Sequence, residues 1–169
     1  MELPEFIALK QQYKPAKVNV LFIADGMPVN NRYFYLKNSS MFRAVKDAYT
    51  QVFGDFSSND EFLKVFKEMG CYFESLTTEP IKFLPPKEQV AARIAGVQPL
   101  TQKISEMQPR LVIISLKTIE KYAREAIQQS GVTTIEHIAV TPFPVKSMVN
   151  VNNCINGIVA ALKTINWEE

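Results

Sequence analysis

Asp25 directly follows Val18-Asn19-Val20-Leu21-Phe22-Ile23-Ala24, a short and nearly all-apolar run, and no other acid occurs until Asp47. A lone carboxylate at the end of a buried strand, beside Gly26 and ahead of aromatic residues, suits a general base or a group that orients water. The same Asp-Gly step also suits a turn in which the carboxylate bonds its own backbone, and the residues alone leave both readings open. Tyr33-Phe34-Tyr35 comes next. Three adjacent rings cannot all face one core, so at least one is expected at a pocket or in solvent, where it can stack on a base. The other reading is plain core packing. Lys146-Ser147 follows Pro142-Phe143-Pro144 and precedes the last helical segment. A loop feeding a helix N-terminus can hold an anion through backbone N–H groups and a hydroxyl. The cations Lys14, Lys17, Arg32, Lys37, Arg43, Lys117 and Lys146 can share that side of the molecule or be scattered over the surface.

Other chemistries find no support. Gly26 stands without the repeated glycines of a phosphate loop or dinucleotide fingerprint. The single histidine, His137, falls inside a strand segment, so no Ser-His-Asp or Cys-His arrangement follows. Cys71 and Cys154 lie far apart with no CxxC, which excludes a Cys-rich zinc or cluster site, and both read as buried, inert thiols. No metal and no cofactor is expected.

The elements that would position these residues alternate. Helical segments are predicted over 4–12 (Phe6, Ile7 and Leu9 apolar), from Ser39 or Ser40 to 53, and from an Asn59 cap to Gly70. A long amphipathic run follows over 87–107, with Val90, Ile94, Val97, Leu100 and Ile104 on one face and Pro99 kinking or splitting it. Thr118 is expected to cap the next helix and Gly131 to end it; Asn152 or Asn153 is expected to open the last. Strands are predicted at 18–24, 71–76, 110–116 and 134–140. Apolar strands alternating with amphipathic helices give an α/β fold: a three-layer α/β/α arrangement around a central, mainly parallel four-stranded sheet. With no repeat, low-complexity tract or linker, residues 1–169 read as a single domain. Ligands of such folds bind beyond the carboxyl ends of the strands. The chain has 47% hydrophobic and 21% charged residues, which excludes disorder as a whole. No apolar run approaches the roughly 18 residues of a membrane span, and no secretory signal is visible, so a cytoplasmic protein without membrane contact is expected. A net charge of +2 neither demands nor forbids nucleic acid.

Over roughly residues 17–166, the order of motifs resembles the uracil-DNA glycosylase superfamily, most closely its small bacterial and archaeal members. Val20 to Pro28 resembles the strand and loop ending in G-E-A-P-G. Tyr33-Phe34-Tyr35, leading to Asn38-Ser39-Ser40-Met41-Phe42, resembles the stretch with the base-stacking aromatic. Gly70 to Leu76 resembles the strand that ends in a base-reading residue, and Glu88 to Ile104, with Pro99-Leu100, the long helix with a Pro-Leu step. Gln108 to Ile114 with Lys117-Thr118 resembles P-K-hhhh-LG-x-T, where h is apolar. Thr141 to Met148 takes the place of the H-P-S loop. The resemblance implies a uracil-DNA glycosylase-like fold and hydrolysis of the N-glycosidic bond of a flipped-out damaged base, uracil or another deaminated base. Carried over by position, Asp25 is the catalytic, water-orienting acid, Phe34 the stacking ring with Tyr35 beside it in base binding, and Ser75 the base reader. Lys146 and Ser147 hold phosphate, and Met148 is the apolar wedge. The implied partner is damaged or single-stranded DNA, bound by a monomer. Phe143 or Pro142 stands in place of the family's catalytic His, and Ser75 in place of an Asn. Two alternatives are therefore carried: a nucleic-acid-binding member without catalysis, and an α/β domain that binds a small molecule or nucleotide.

Overall fold

The computed structural model describes residues 1–168. Four strands form one all-parallel sheet in the order β2-β1-β3-β4, with β1 at Val20–Ala24, β2 at Cys71–Ser75, β3 at Leu111–Ile114 and β4 at His137–Val140. Val20 pairs with Cys71 on one side and Leu111 on the other, and Leu111 pairs with His137, so all four carboxyl ends emerge together. β1 and β3 are central, and their apolar residues are buried apart from the half-buried Ala24, as parallel strands covered on both faces require.

Helices cover both faces. α2 (Ser40–Phe53) packs on α6 (Met148–Leu162) and against α3 (Asn59–Glu68), through Tyr49–Phe66 and Phe42–Phe62 ring contacts. Phe22 of β1 stacks on Phe73 of β2 at 4.8 Å and meets Phe66 of α3. On the opposite face α4 (Pro86–Met107) packs along α5 (Glu120–Ser130). This is the three-layer α/β/α arrangement the sequence predicts. Among the described residues, no helix is long and apolar enough to cross a membrane.

β2 lies at the sheet edge, so its outward N–H groups need partners outside the ladder. The Phe73 N–H donates to the Tyr35 hydroxyl at 2.9 Å, and the Ser75 N–H donates to Glu74 Oε1 at 3.0 Å. α1 (Leu3–Gln12) brings rings to the same side: Phe6 meets Tyr33 at 5.2 Å, and Tyr13, just past its end, stacks on Tyr35 at 5.1 Å. The three consecutive aromatics are therefore mainly structural, with Phe34 and Tyr35 buried and Tyr33 half-buried.

Several local expectations are corrected. The last helix starts at Met148, not at Asn152 or Asn153, because Ser147 Oγ accepts the Asn150 N–H and caps it earlier. Ser58, one residue before Asn59, caps α3 in the same way. A short 3₁₀ turn at Lys117–Ile119 leads into α5 where a Thr118 side-chain cap was predicted. α4 runs unbroken through Pro99. Its inward stripe is shorter than its periodicity predicts: Val97, Leu100 and Ile104 are buried, but Val90 and Ile94 are exposed. Ile7 of α1 is likewise exposed. Lys17 lines a second hollow with Gly70, at the amino end of β2, so it does not share the strand-end side with Lys146.

Candidate functional site

A cavity of about 590 Å³ opens at the carboxyl ends of the strands. Its walls come from the loop after β1, the ends of β2 and β3, the first half of α4 and the loop before α6. Asp25, Phe34 and Ser75 all line it. Tyr35 does not; it is fully buried with its hydroxyl spent on the Phe73 N–H, and burial raises its pKa well above the usual phenol range.

Asp25 has a partner that sequence reasoning did not find. Arg93 of α4 donates to both carboxylate oxygens, Nε to Oδ1 at 3.0 Å and Nη2 to Oδ2 at 2.7 Å. This is the two-pronged geometry that guanidinium and carboxylate share. The side chains are 12% and 23% exposed, so the pair is sheltered but open to the cavity. The hydrogen bond that Arg93 donates to Asp25 raises the Arg93 pKa, against a smaller opposing effect of burial, so Arg93 is a permanent cation. Nη1 is not engaged by Asp25 and keeps two N–H donors.

Gly96 sets this geometry. A Cβ built there would lie 2.2 Å from the Leu76 carbonyl oxygen, so only glycine lets α4 approach the chain leaving β2 this closely. Arg93 sits one turn earlier on α4 and is thereby delivered to Asp25. Gly26 is held close in the same way, with its Cβ position 2.8 Å from Thr77 Oγ1. The Thr77 hydroxyl, within hydrogen-bond distance of the Asp25 and Glu79 carbonyl oxygens, ties the two strand-end loops together.

The remaining walls are mostly apolar. Phe34 is edged by Phe73 at 4.4 Å and by Phe42 and Phe66, so the ring is fixed by packing before any ligand arrives. The Ser75 hydroxyl is 3.4 Å from Met27 Sδ, a weak contact that a better acceptor can replace. Ser115, at the end of β3, donates to the Ile23 carbonyl at 2.8 Å. Phe143 and Val145 close the side toward α6.

A second charged group lies behind the wall. Glu74 lines the cavity but is only 4% exposed; its Oε1 accepts from Lys10 Nζ at 2.5 Å and from the Ser75 N–H, and forms an ion pair with Lys103 Nζ at 3.3 Å. Burial, and then the Glu74 charge, raise the Tyr33 and Tyr72 pKa values above the ordinary phenol range.

Lys146, Ser147 and Met148 sit together beside the cavity but do not line it. Lys146 is exposed in a left-handed conformation (φ 76°), Ser147 Oγ caps α6, and Met148 is 68% exposed. His137 is exposed at the start of β4, the far end of the sheet from the cavity. Cys71 and Cys154 are buried and free; burial pushes their thiol pKa values up to about 12 and about 11.

Arg93 left a signal that could have been read. It is the only cation between Lys87 and Lys103, and the only polar side chain from Val90 to Val97. Glu74 is likewise the only charged residue in the three inner and edge segments VLFIA, CYFES and LVII. Compared with known proteins, the chain matches no family model, and no curated protein matches its sequence.

Proposed function

We propose that the cavity receives a nucleobase flipped out of DNA and that the protein is a DNA glycosylase-like hydrolase of the N-glycosidic bond, with uracil or another deaminated base as the leaving group. The observation that carries this reading is the Asp25–Arg93 pair, set at the end of a central strand in an aromatic-walled cavity the size of small-molecule sites. In the reaction the bond from C1′ to the base nitrogen breaks, and its electron pair leaves with the base. Water adds to C1′ and gives up one proton, and the departing base anion gains one. Asp25 faces the developing positive charge on the sugar and accepts a hydrogen bond from the attacking water through lone pairs that Arg93 leaves open. Arg93 Nη1 donates to the base as negative charge grows on it. Phe34 gives the base a fixed edge to pack on, and Ser75 offers one hydroxyl to its polar rim.

The test is base release from oligonucleotides carrying uracil, hypoxanthine, xanthine or alkylated bases, in single and double strands. Wild-type release that falls about 100-fold or more in Asp25→Asn supports this reading. Release unchanged in Asp25→Asn would remove Asp25 from the mechanism.

One observation favours a second reading, binding without hydrolysis. Both Asp25 oxygens already accept from Arg93, which leaves fewer lone pairs to hold an attacking water. That reading requires DNA binding that weakens with salt and no released base from the folded wild type.

A further inference from the structure

We infer that Phe83 is a stacking platform for an unpaired base of the bound DNA strand, held out beside the cavity by a clamped turn. This inference rests on the proposed nucleic-acid reading of the cavity.

At 79% exposure, Phe83 is the most exposed large apolar side chain among the described residues. Its exposure is not that of a loose loop. The Leu84 N–H donates to the Ile81 carbonyl at 3.0 Å, closing a turn with Phe83 at its third position. From α4, the Gln89 side-chain amide lies within hydrogen-bond distance of the carbonyls of Ile81, Lys82 and Leu84, at 3.2, 3.1 and 3.1 Å. One buttressed amide thus fixes three of the four turn residues, and the ring at the tip is left in water. Ile81, Lys82 and Gln89 line the cavity, so the ring stands at its rim.

The charges around the ring identify the occupant. Lys82 Nζ lies 5.7 Å from the Phe83 ring centroid, and Arg32 lines the cavity with Lys82. Lys146 is exposed on the opposite rim. None of these three cations has an ion pair among the described residues. The exposed acids near the turn are Glu79 and Glu88. A flat ring flanked by unpaired cations matches a strand of stacked bases on a phosphate backbone. The sheet order extends the match. Phe83 follows β2 and Met148 follows β4, the two edge strands, and both side chains are exposed.

The experiment is fluorescence anisotropy of a labelled single-stranded oligonucleotide containing one uracil, with wild type, Phe83→Ala and Phe83→Trp. Phe83→Ala is expected to bind about tenfold more weakly, and Phe83→Trp to bind within about twofold of wild type. Thermal stability of both variants is expected to match wild type, because the ring touches little. If wild type binds and Phe83→Ala binds equally well, the platform is overturned while the cavity reading stands. If wild type binds no oligonucleotide, the cavity reading falls and the platform falls with it. If instead the substitution abolishes self-association in sedimentation and leaves DNA binding intact, the ring serves a protein interface and the inference is wrong.

Discussion

Asp25 and Glu74 stand near the carboxyl ends of neighbouring strands and line the same cavity, yet their surroundings differ in kind. Asp25 meets one guanidinium in a planar, two-pronged contact that leaves further donors on Arg93 and lone pairs on the carboxylate. Glu74 is sealed, and one of its oxygens already takes two ammonium groups and a backbone N–H. It ties α1, β2 and α4 together at the sheet edge. Lining a cavity therefore does not make a charge chemical. What distinguishes Asp25 is spare hydrogen-bonding capacity and access to the cavity; what distinguishes Glu74 is that removing it strands the buried Lys10.

The two acids are told apart by deleting each and measuring stability by urea denaturation. Glu74→Ala leaves Lys10 buried beside Lys103 with no acid between them. It is expected to cost about 3–5 kcal/mol, the range for removing one partner of a buried ion pair. A loss below about 1 kcal/mol would mean that water reaches this cluster and that Glu74 is no more structural than Asp25.

Raising the pH tests the sealed side without mutation. The Cys71 thiol is pushed from 9.0 up to about 12 by burial, outweighing a smaller opposing hydrogen bond from Tyr49. The Tyr33 and Tyr72 phenols beside Glu74 are raised by burial first and by its charge second. Each group is neutral when protonated, and the fold favours that form. Their contribution is complete below pH 9.0 and is lost as pH rises, because the unfolded chain ionises first. Stability is expected to fall from about pH 9 toward pH 12, by about 1.4 kcal/mol per pH unit for each group ionised only in the unfolded chain. Urea midpoints that stay flat from pH 8 to 11 would show these groups to be open to water.

Gly96→Ala probes how the two regions are joined through α4. Alanine is the better helix former by about 1 kcal/mol, so without a clash the variant gains stability. The new Cβ would lie 2.2 Å from the Leu76 carbonyl oxygen, which is backbone and cannot step aside cheaply. A net loss of about 1–3 kcal/mol is expected, as for an overpacked contact, together with weaker base release as Arg93 is drawn away from Asp25. A stabilised variant would place α4 farther from β2 than this.

The sheet was readable from the sequence because its signal is local. Val20–Ala24 and Leu111–Ile114 are short, apolar and bounded by turn residues, and the helices between them carry clear faces. Boundaries were missed where a side chain competes for the backbone: Ser147 captures the Asn150 N–H and starts α6 ahead of the Asn pair. Asp25, Phe34 and Ser75, singled out by strand-end position and by the resemblance, all line the cavity, because parallel topology gathers the strand ends. Arg93 and Gln89 were not found. They lie on α4, distant in sequence, and reach the strand ends only because Gly96 permits a close helix–strand approach that has no periodic signature. Tyr35 was placed at the base because adjacency in sequence does not show which of three rings turns to cover a sheet edge.

The smallest expected change in stability belongs to Asp25→Asn, and there the comparison reverses. The pair is partly open to the cavity, so losing one charge of a two-pronged contact is expected to cost about 1–2 kcal/mol, less than at Glu74. Arg93 still has water at hand, and the Asn carbonyl keeps one acceptor for it. Activity is expected to behave in the opposite way, with base release lost in Asp25→Asn at temperatures where the variant is fully folded. Arg93→Met separates the two roles within the pair. In the proposed mechanism it leaves Asp25 able to hold water but removes the donor for the departing base, so release is expected to slow most for bases that are poor leaving groups. Equal slowing for every base would make Arg93 a positioning residue for Asp25 alone. A stability loss at Asp25 as large as at Glu74, with release intact, would make both carboxylates structural and leave the cavity without its acid.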